Sequence, residues 1–537
     1  MFRRFLASIF LFFIVLALYQ CGRRGTPTGG PKDIDPPVLV KTDPKNMSLN
    51  FKANKIRLYF DEYIKLEDIQ DQLIVSPPLK YLPEISPQGG ASKFVEIKIK
   101  DTLRPNTTYT FNFGQSIVDN NEGNPASFLT YVFSTGDYLD SLTVSGVVKD
   151  AFNKKADEFI SVMLYEIDSA YSDSTIFKKP PNYITNTLDS TIIFTLRNLK
   201  EGKYAMFALK DVAKNHLFNQ NADKIAFIPD TVSLPTDSTY LLTLFKEIPD
   251  YKTSVPSFVS RNKIIFGYYG EGQDIDIEPL TVIPDTVKTL VLKERDKDTL
   301  NFWHTPFETD SLIFTVTNEL MKVIDTFTVK SRKVGVDSLV IKPNQQGSLS
   351  FYTPFHLEAT TPIMGVDSTQ FSMMNKDSIA VAFKLSIDSF GNFIAIDFDK
   401  EPEQLYKLEV LPNAITDFFG ETNDTLNYSL STRSLSDFGS VTLSLDGAVQ
   451  YPVIVQLTTE QGETKREIFA DSAQDFEFRS LEPAKYLIRV IYDANGNKKW
   501  DTGSYLKKIQ PERVSYYPKT IEMRANWEEN ETFIMQK

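Results

Sequence analysis

The chain has 537 residues, 42% hydrophobic and 12% aromatic, with one cysteine and a formal net charge of −12. At about 100–200 residues per domain this is material for roughly three to five domains. A lone cysteine excludes an intramolecular disulfide, and the acidic balance argues against nucleic acid, whose phosphates call for a cationic surface.

The chain opens on Met1-Phe2-Arg3-Arg4, followed by an apolar stretch from Phe5 to Leu18. A basic start and an apolar stretch of this length form the pattern of a secretory signal, and the stretch is shorter than the roughly 20 residues a spanning helix needs. The junction Leu18-Tyr19-Gln20-Cys21-Gly22 resembles the lipobox of bacterial lipoproteins, although Tyr19 and Gln20 are bulkier than the residues that usually stand there. The resemblance implies removal of residues 1–20, a diacylglyceryl group on Cys21 and attachment to a membrane through that lipid. Each buried methylene contributes about 0.8 kcal/mol, so two or three acyl chains hold stably. Gly22 to Pro31 is a Gly/Pro-rich tether extending to about residue 35. Gly22 stands where an aspartate would signal inner-membrane retention, which favours the outer membrane. The acidic run that follows the cysteine in many surface-exported lipoproteins of Bacteroidota is missing, which favours a periplasm-facing orientation.

From residue 36 onward the chain reads as short strands. Lys55–Phe60, Thr108–Phe113, Ile192–Leu196 and Ser311–Val316 are β-branched and aromatic, and turn residues separate them. The best helical candidate is Leu66 to Leu73, with apolar residues at i, i+3 and i+7. Many strands with few helices predict an all-β chain of tandem β-sandwich modules. Asp-Ser or Asp-Thr stands before apolar runs at Asp140, Asp189, Asp298, Asp310, Asp337, Asp377 and Asp424. Short polar side chains that bond their own backbone mark turns there. The tripeptides also resemble the O-glycosylation acceptor motif of Bacteroidota.

Asp35-Pro36-Pro37-Val38, Ile56 to Glu62, Leu103 to Tyr109, Ile117 to Asn124 and Phe133 to Gly136 together resemble the SbsA-type bacterial Ig-like domain over 36–137. A weaker echo at Leu405–Leu408, Ala414–Asp417 and Leu430–Thr432 places a second Ig-like copy over 340–435. A separate repeat relates Phe194–Tyr204 to Phe476–Tyr486 at an offset of 282, extending to Asp211/Asp493, Asn215/Asn497 and Phe218/Trp500. These two modules, 138–248 and 436–537, resemble the transthyretin-like or carboxypeptidase-regulatory-like β-sandwich, a family whose fold carries no chemistry with it. Between them 249–339 is strand-rich and matches neither type.

No catalytic constellation emerges. His216, His304 and His356 lie in three different modules, and neither a nucleophile elbow nor a phosphate-binding loop is present. The one segment with ligand chemistry is Asp493 to Gly503, where oxygen side chains at Asp493, Asn495, Asn497 and Asp501 form a calcium-type donor set. Its Asn495-Gly496 dipeptide is equally a hairpin signal, and the glycine does not fall where an EF-hand needs it. The expectation is a noncatalytic, lipid-anchored envelope scaffold that docks an outer-membrane or envelope protein. The competing expectations are a glycan-binding or adhesive lipoprotein, which needs clustered exposed aromatics, and an enzyme with a dispersed carboxylate site.

Overall fold

A computed structural model of the chain describes residues 33–187 and 192–536, which are nearly all strand. Cys21 and the glycosylation-type triplet at Asp189 therefore lie outside the described residues. Two compact units form. One runs up to Thr143 and takes in Asn182–Thr185 and Leu196–Lys200; the other holds the rest from Val144 onward.

In the first unit, Lys55–Leu66 is the central strand. It pairs with Leu39–Asp43 on one side and Ser92–Lys98 on the other, and Ile117–Asp119 joins its end. Its alternation puts Ile56, Leu58 and Phe60 inside, facing a second sheet of Ile74–Ser76, Thr108–Asn112 and Thr130–Ser134. Tyr109, Phe111 and Phe133 fill the space between, and Phe51 stacks on Phe133 at 3.8 Å. The segment read as helical holds a single turn of helix, Ile69–Gln72, with Leu66 still closing the central strand. Asp68, in the left-handed region at φ 47°, marks the switch.

The 282-residue repeat is matched strand for strand. Ile193–Leu199 and Gly202–Lys210 correspond to Asp475–Leu481 and Ala484–Tyr492. Near the end of the first strand of each pair a left-handed residue stands at the same repeat position, Asn198 (φ 58°) and Ser480 (φ 48°). Each repeat ends by laying its last strand parallel to its first: Thr239–Leu244 on Ser145–Asp150, and Glu528–Met535 on Ser440–Gly447. The core of the later repeat is Val441, Leu443, Val455, Phe476, Phe478, Ile488 and their neighbours.

Between the repeats lie two further modules, each with two main sheets, the second also holding a small pair, Ile363–Val366 with Ile415–Asp417. One is built around Lys263–Tyr269 and Ser311–Asn318, with Phe258, Phe266, Phe302 and Phe314 between them. The other is built around Phe393–Asp397 and Leu405–Val410. Arg295 ties these together, its guanidinium 3.9 Å over the Phe393 ring and 2.6 Å from Asp388.

The stretch 340–435 shares a hydrogen-bond device with the first unit. Tyr109 Oη accepts from the Arg104 N–H at 2.9 Å, and Thr135 Oγ1 donates to the Arg104 carbonyl and accepts from Thr107 N–H. Tyr406, Glu401, Thr432 and Gln404 repeat every one of these bonds 297 residues later. Asp119 and Asp417, both 2% exposed, each receive backbone N–H groups of the turn that follows. At Asp119 burial opposes ionisation, but the N–H donors of Asn124, Glu122 and Asn121 outweigh it and hold the carboxyl below its ordinary value.

Candidate docking surfaces

The three histidines stay apart. His216 has its Nδ1 3.8 Å from Asp211, and burial pushes its pKa down. His304 sits among Phe258, Phe302 and Phe307, likewise pushed down by burial, and His356 stacks on Phe393 at 4.2 Å. The tryptophans do not cluster either: Trp303 is buried, Trp500 packs on Phe152 at 4.7 Å, and only Trp527 is exposed. Among the described residues no helix is long and apolar enough to cross a membrane.

The structure brings Asp493, Asn495, Asn497 and Asp501 together. Asp493 accepts from the N–H groups of Asn497 (3.1 Å) and Lys498 (2.8 Å). The side-chain amides of Asn495 and Asn497 both donate to Asp501 Oδ2. Glu512 spans the base of the loop, accepting from Ala494 N–H at 2.8 Å and Asp501 N–H at 3.0 Å. The oxygens are thus engaged in closing a hairpin. No group of three or more His, Cys, Asp or Glu able to hold a metal occurs among the described residues.

The segment that follows this loop has the most consequential contacts. It inserts into the earlier repeat. Tyr505, 1% exposed, lies edge-on to Phe207 at 5.1 Å and Phe227 at 5.4 Å, with Phe177 beside them. Its N–H donates to Glu247 Oε1, and its hydroxyl donates to Asp173 at 3.2 Å, which Lys508 also reaches at 2.7 Å. Thr502 Oγ1 donates to the Lys246 carbonyl at 2.6 Å, and Gln510 to the Phe227 carbonyl at 3.1 Å. Gly503 is required by contact, because a Cβ there would lie 2.7 Å from the Phe245 ring and from the Ile509 carbonyl. Alongside, Arg489, 2% exposed, lays its guanidinium 3.8 Å over Phe152 of the earlier repeat.

Sequence reasoning missed this junction, although a signal existed. Val232 pairs with Tyr204, 28 residues on, whereas the equivalent Ile521 pairs with Tyr486, 35 residues on. The later copy is therefore seven residues longer, and the extra length lies in the segment that holds the Ser504–Ile509 hairpin.

The parallel last strands stand at the ends of their sheets. The Leu244 carbonyl accepts from Ala151 N–H on the paired side, so by strand alternation Leu241 and Thr243 turn their backbone groups outward. Phe245, next in that series, pairs with Ile225, so Lys224–Phe227 runs alongside the outer side of Thr239–Leu244, although among the described residues no backbone bond joins it to Leu241 or Thr243. Beside them is a cleft of about 300 Å³, with Lys149 on one wall and Gln510–Val514 on the other. Arg513 also lines a larger concavity, about 700 Å³, beside the edge of Glu528–Met535.

Residues 33–135 match the family model described as bacterial Ig-like domain. No curated protein matches the chain. Among solved structures, the chain is similar to the surface layer protein SbsC, at 12% identity and a TM-score of 0.16, with 90% of this chain and 67% of that one covered. It is similar to the major pilin subunit BcpA of Bacillus cereus at 10% identity and a TM-score of 0.14, covering 74% and 100%. A titin fragment overlays at 10% identity and a TM-score of 0.13, covering 52% and 98%. The class the fold defines is an all-β tandem of β-sandwich modules that contains a bacterial Ig-like domain.

Proposed function

We propose that the chain is a noncatalytic cell-envelope scaffold, anchored at the outer membrane through a lipid on Cys21, that docks envelope protein partners on its sandwich modules. In this reading the modules at 36–137 and 340–435 are Ig-like, those at 138–248 and 436–537 are transthyretin-like, and the modules face the periplasm. The observation that carries it is the buried junction at Tyr505, which joins modules distant in sequence and so fixes their sheet margins, that of Glu528–Met535 among them, in space. An unpaired edge offers main-chain hydrogen bonds to an incoming strand. Calcium at Asp493, Asn495, Asn497 and Asp501 forms no part of this reading, because those side chains already bond one another and the loop backbone.

Crosslinking in intact cells, followed by affinity purification from outer membranes, recovers a stoichiometric envelope protein if this is right. Recovery of the chain alone overturns it. The anchor is tested separately: Cys21→Ala moves the protein out of the membrane fraction, and persistence there refutes lipidation at that residue.

A further inference from the structure

We propose that the outer edge of Glu528–Met535 receives an extended segment of a partner protein, which pairs with Asn530, Thr532 and Ile534 and sets a basic residue opposite Glu528, six positions from an apolar residue opposite Ile534. The inference deepens the docking reading and rests on it.

The Trp527 and Met535 carbonyls accept from the N–H groups of Ser440 and Ala448 on the paired side, so strand alternation turns the N–H and C=O groups of Glu528, Asn530, Thr532 and Ile534 the other way. The next group in that series, the Gln536 carbonyl, accepts from Arg513 Nη2 at 2.7 Å, and this bond marks the end of the free stretch. Before it, among the described residues no backbone bond or bridge reaches Asn530, Thr532 or Ile534. The earlier repeat differs at this point, because its Phe245 is bridged to Ile225. The concavity of about 700 Å³ lies beside the edge rather than over the sheet: it is lined by the consecutive residues Glu531–Gln536, whose side chains alternate between the two faces, and by none of the neighbouring Ser440–Gly447. Ser515–Lys519 forms its far wall.

Side chains select the occupant. Ile534 is 68% exposed, an apolar residue at an edge that charge or proline usually guards against stray pairing. At the other end Glu528 and Glu529 have no ion-pair partner among the described residues, whereas Glu531 accepts from Tyr517 and Lys519. Two adjacent carboxylates without a cation repel an acidic strand and attract a basic one. Glu528 and Ile534 both stand on the exposed face of the strand, about 20 Å apart at 3.3 Å per residue. Directly opposed residues on one face are the pairs that stabilise an added strand, so the basic and the apolar residue of the partner stand the same six positions apart.

The test is fluorescence anisotropy of the full chain with two short labelled peptides of threonine and valine, one carrying lysine six positions before a leucine and the other six positions after it, for a parallel and an antiparallel approach. One of the two is expected to bind saturably, and to weaken about tenfold or more when its backbone is N-methylated on the pairing side or when glutamate replaces its lysine. Thr532→Pro removes an outward N–H while sparing the ladder to Ser440–Gly447, since an edge strand tolerates proline facing solvent. It abolishes binding with an unchanged melting curve. Glu528→Lys turns the preference to the glutamate peptide, a readout that does not depend on how the proline variant folds. Absence of binding by both peptides at millimolar concentration, or equal binding after N-methylation, overturns the proposal. So does a crosslinked envelope partner that the Thr532→Pro chain retains in full, an outcome that leaves the scaffold reading standing; recovery of the parent chain alone is what sinks that reading.

Discussion

Tyr505 combines two kinds of anchoring in one side chain: a ring edge-on to Phe207 and Phe227, and a hydroxyl on Asp173. Tyr505→Ala leaves a cavity among three phenylalanines and is expected to cost about 3–5 kcal/mol, whereas Tyr505→Phe keeps the packing and costs about 1 kcal/mol. Chemical denaturation of both variants measures the difference. Glu247 supplies the same junction with a pH dependence. It is 4% exposed, and burial pushes its carboxyl above the ordinary range, although Tyr505 N–H and Gln220 donate to it. Because its folded pKa lies above its unfolded value of about 4.3, the stabilisation it lends is full below that pH and is lost as pH rises through the folded pKa. Melting temperature against pH is therefore expected to flatten above about pH 4.3 in Glu247→Gln relative to the parent.

At the scale of elements, the repeated tyrosine–threonine device makes a paired prediction. Tyr109→Phe and Tyr406→Phe each remove the acceptor for a buried-side N–H and are expected to destabilise their own sandwich by about 1 kcal/mol, with additive effects in the double variant. Denaturant titration of the single and double variants checks this. Strands and repeat register were legible in the sequence, because Phe194, Leu196, Leu199 and Tyr204 are buried and their counterparts Phe476, Phe478, Leu481 and Tyr486 fill the same places. The Asp-Ser/Thr turns were legible in part: strands begin at Leu142, Thr299, Ser311 and Leu426, within two residues of their aspartates, but Ser378 sits in a left-handed turn of its own. The junction was not legible. Its sequence signs, a seven-residue excess and an isolated Tyr505, carry no periodicity, and their partners lie more than 250 residues upstream. The side chains of the oxygen-rich loop from Asp493 to Asp501 bond one another and the loop backbone, and spacing alone does not tell side chains that collect an ion from side chains that cap a turn.

For the molecule as a whole, the contact between the two repeats means that neither is complete alone. Deleting residues 436–537 is expected to bare Phe177, Phe207 and Phe227 as an apolar patch, raising dye binding and self-association; a truncated chain that stays monomeric and dye-silent would show that the junction is dispensable. The same contact has a consequence in time. Lys246 and Thr502 are 256 residues apart, and synthesis at about 5–20 residues per second separates their appearance by roughly 13–50 s. For that interval the earlier repeat exists with one wall missing, and any holding factor that accompanies the nascent chain has a defined apolar face to cover and a defined moment, the arrival of Tyr505, at which to let go.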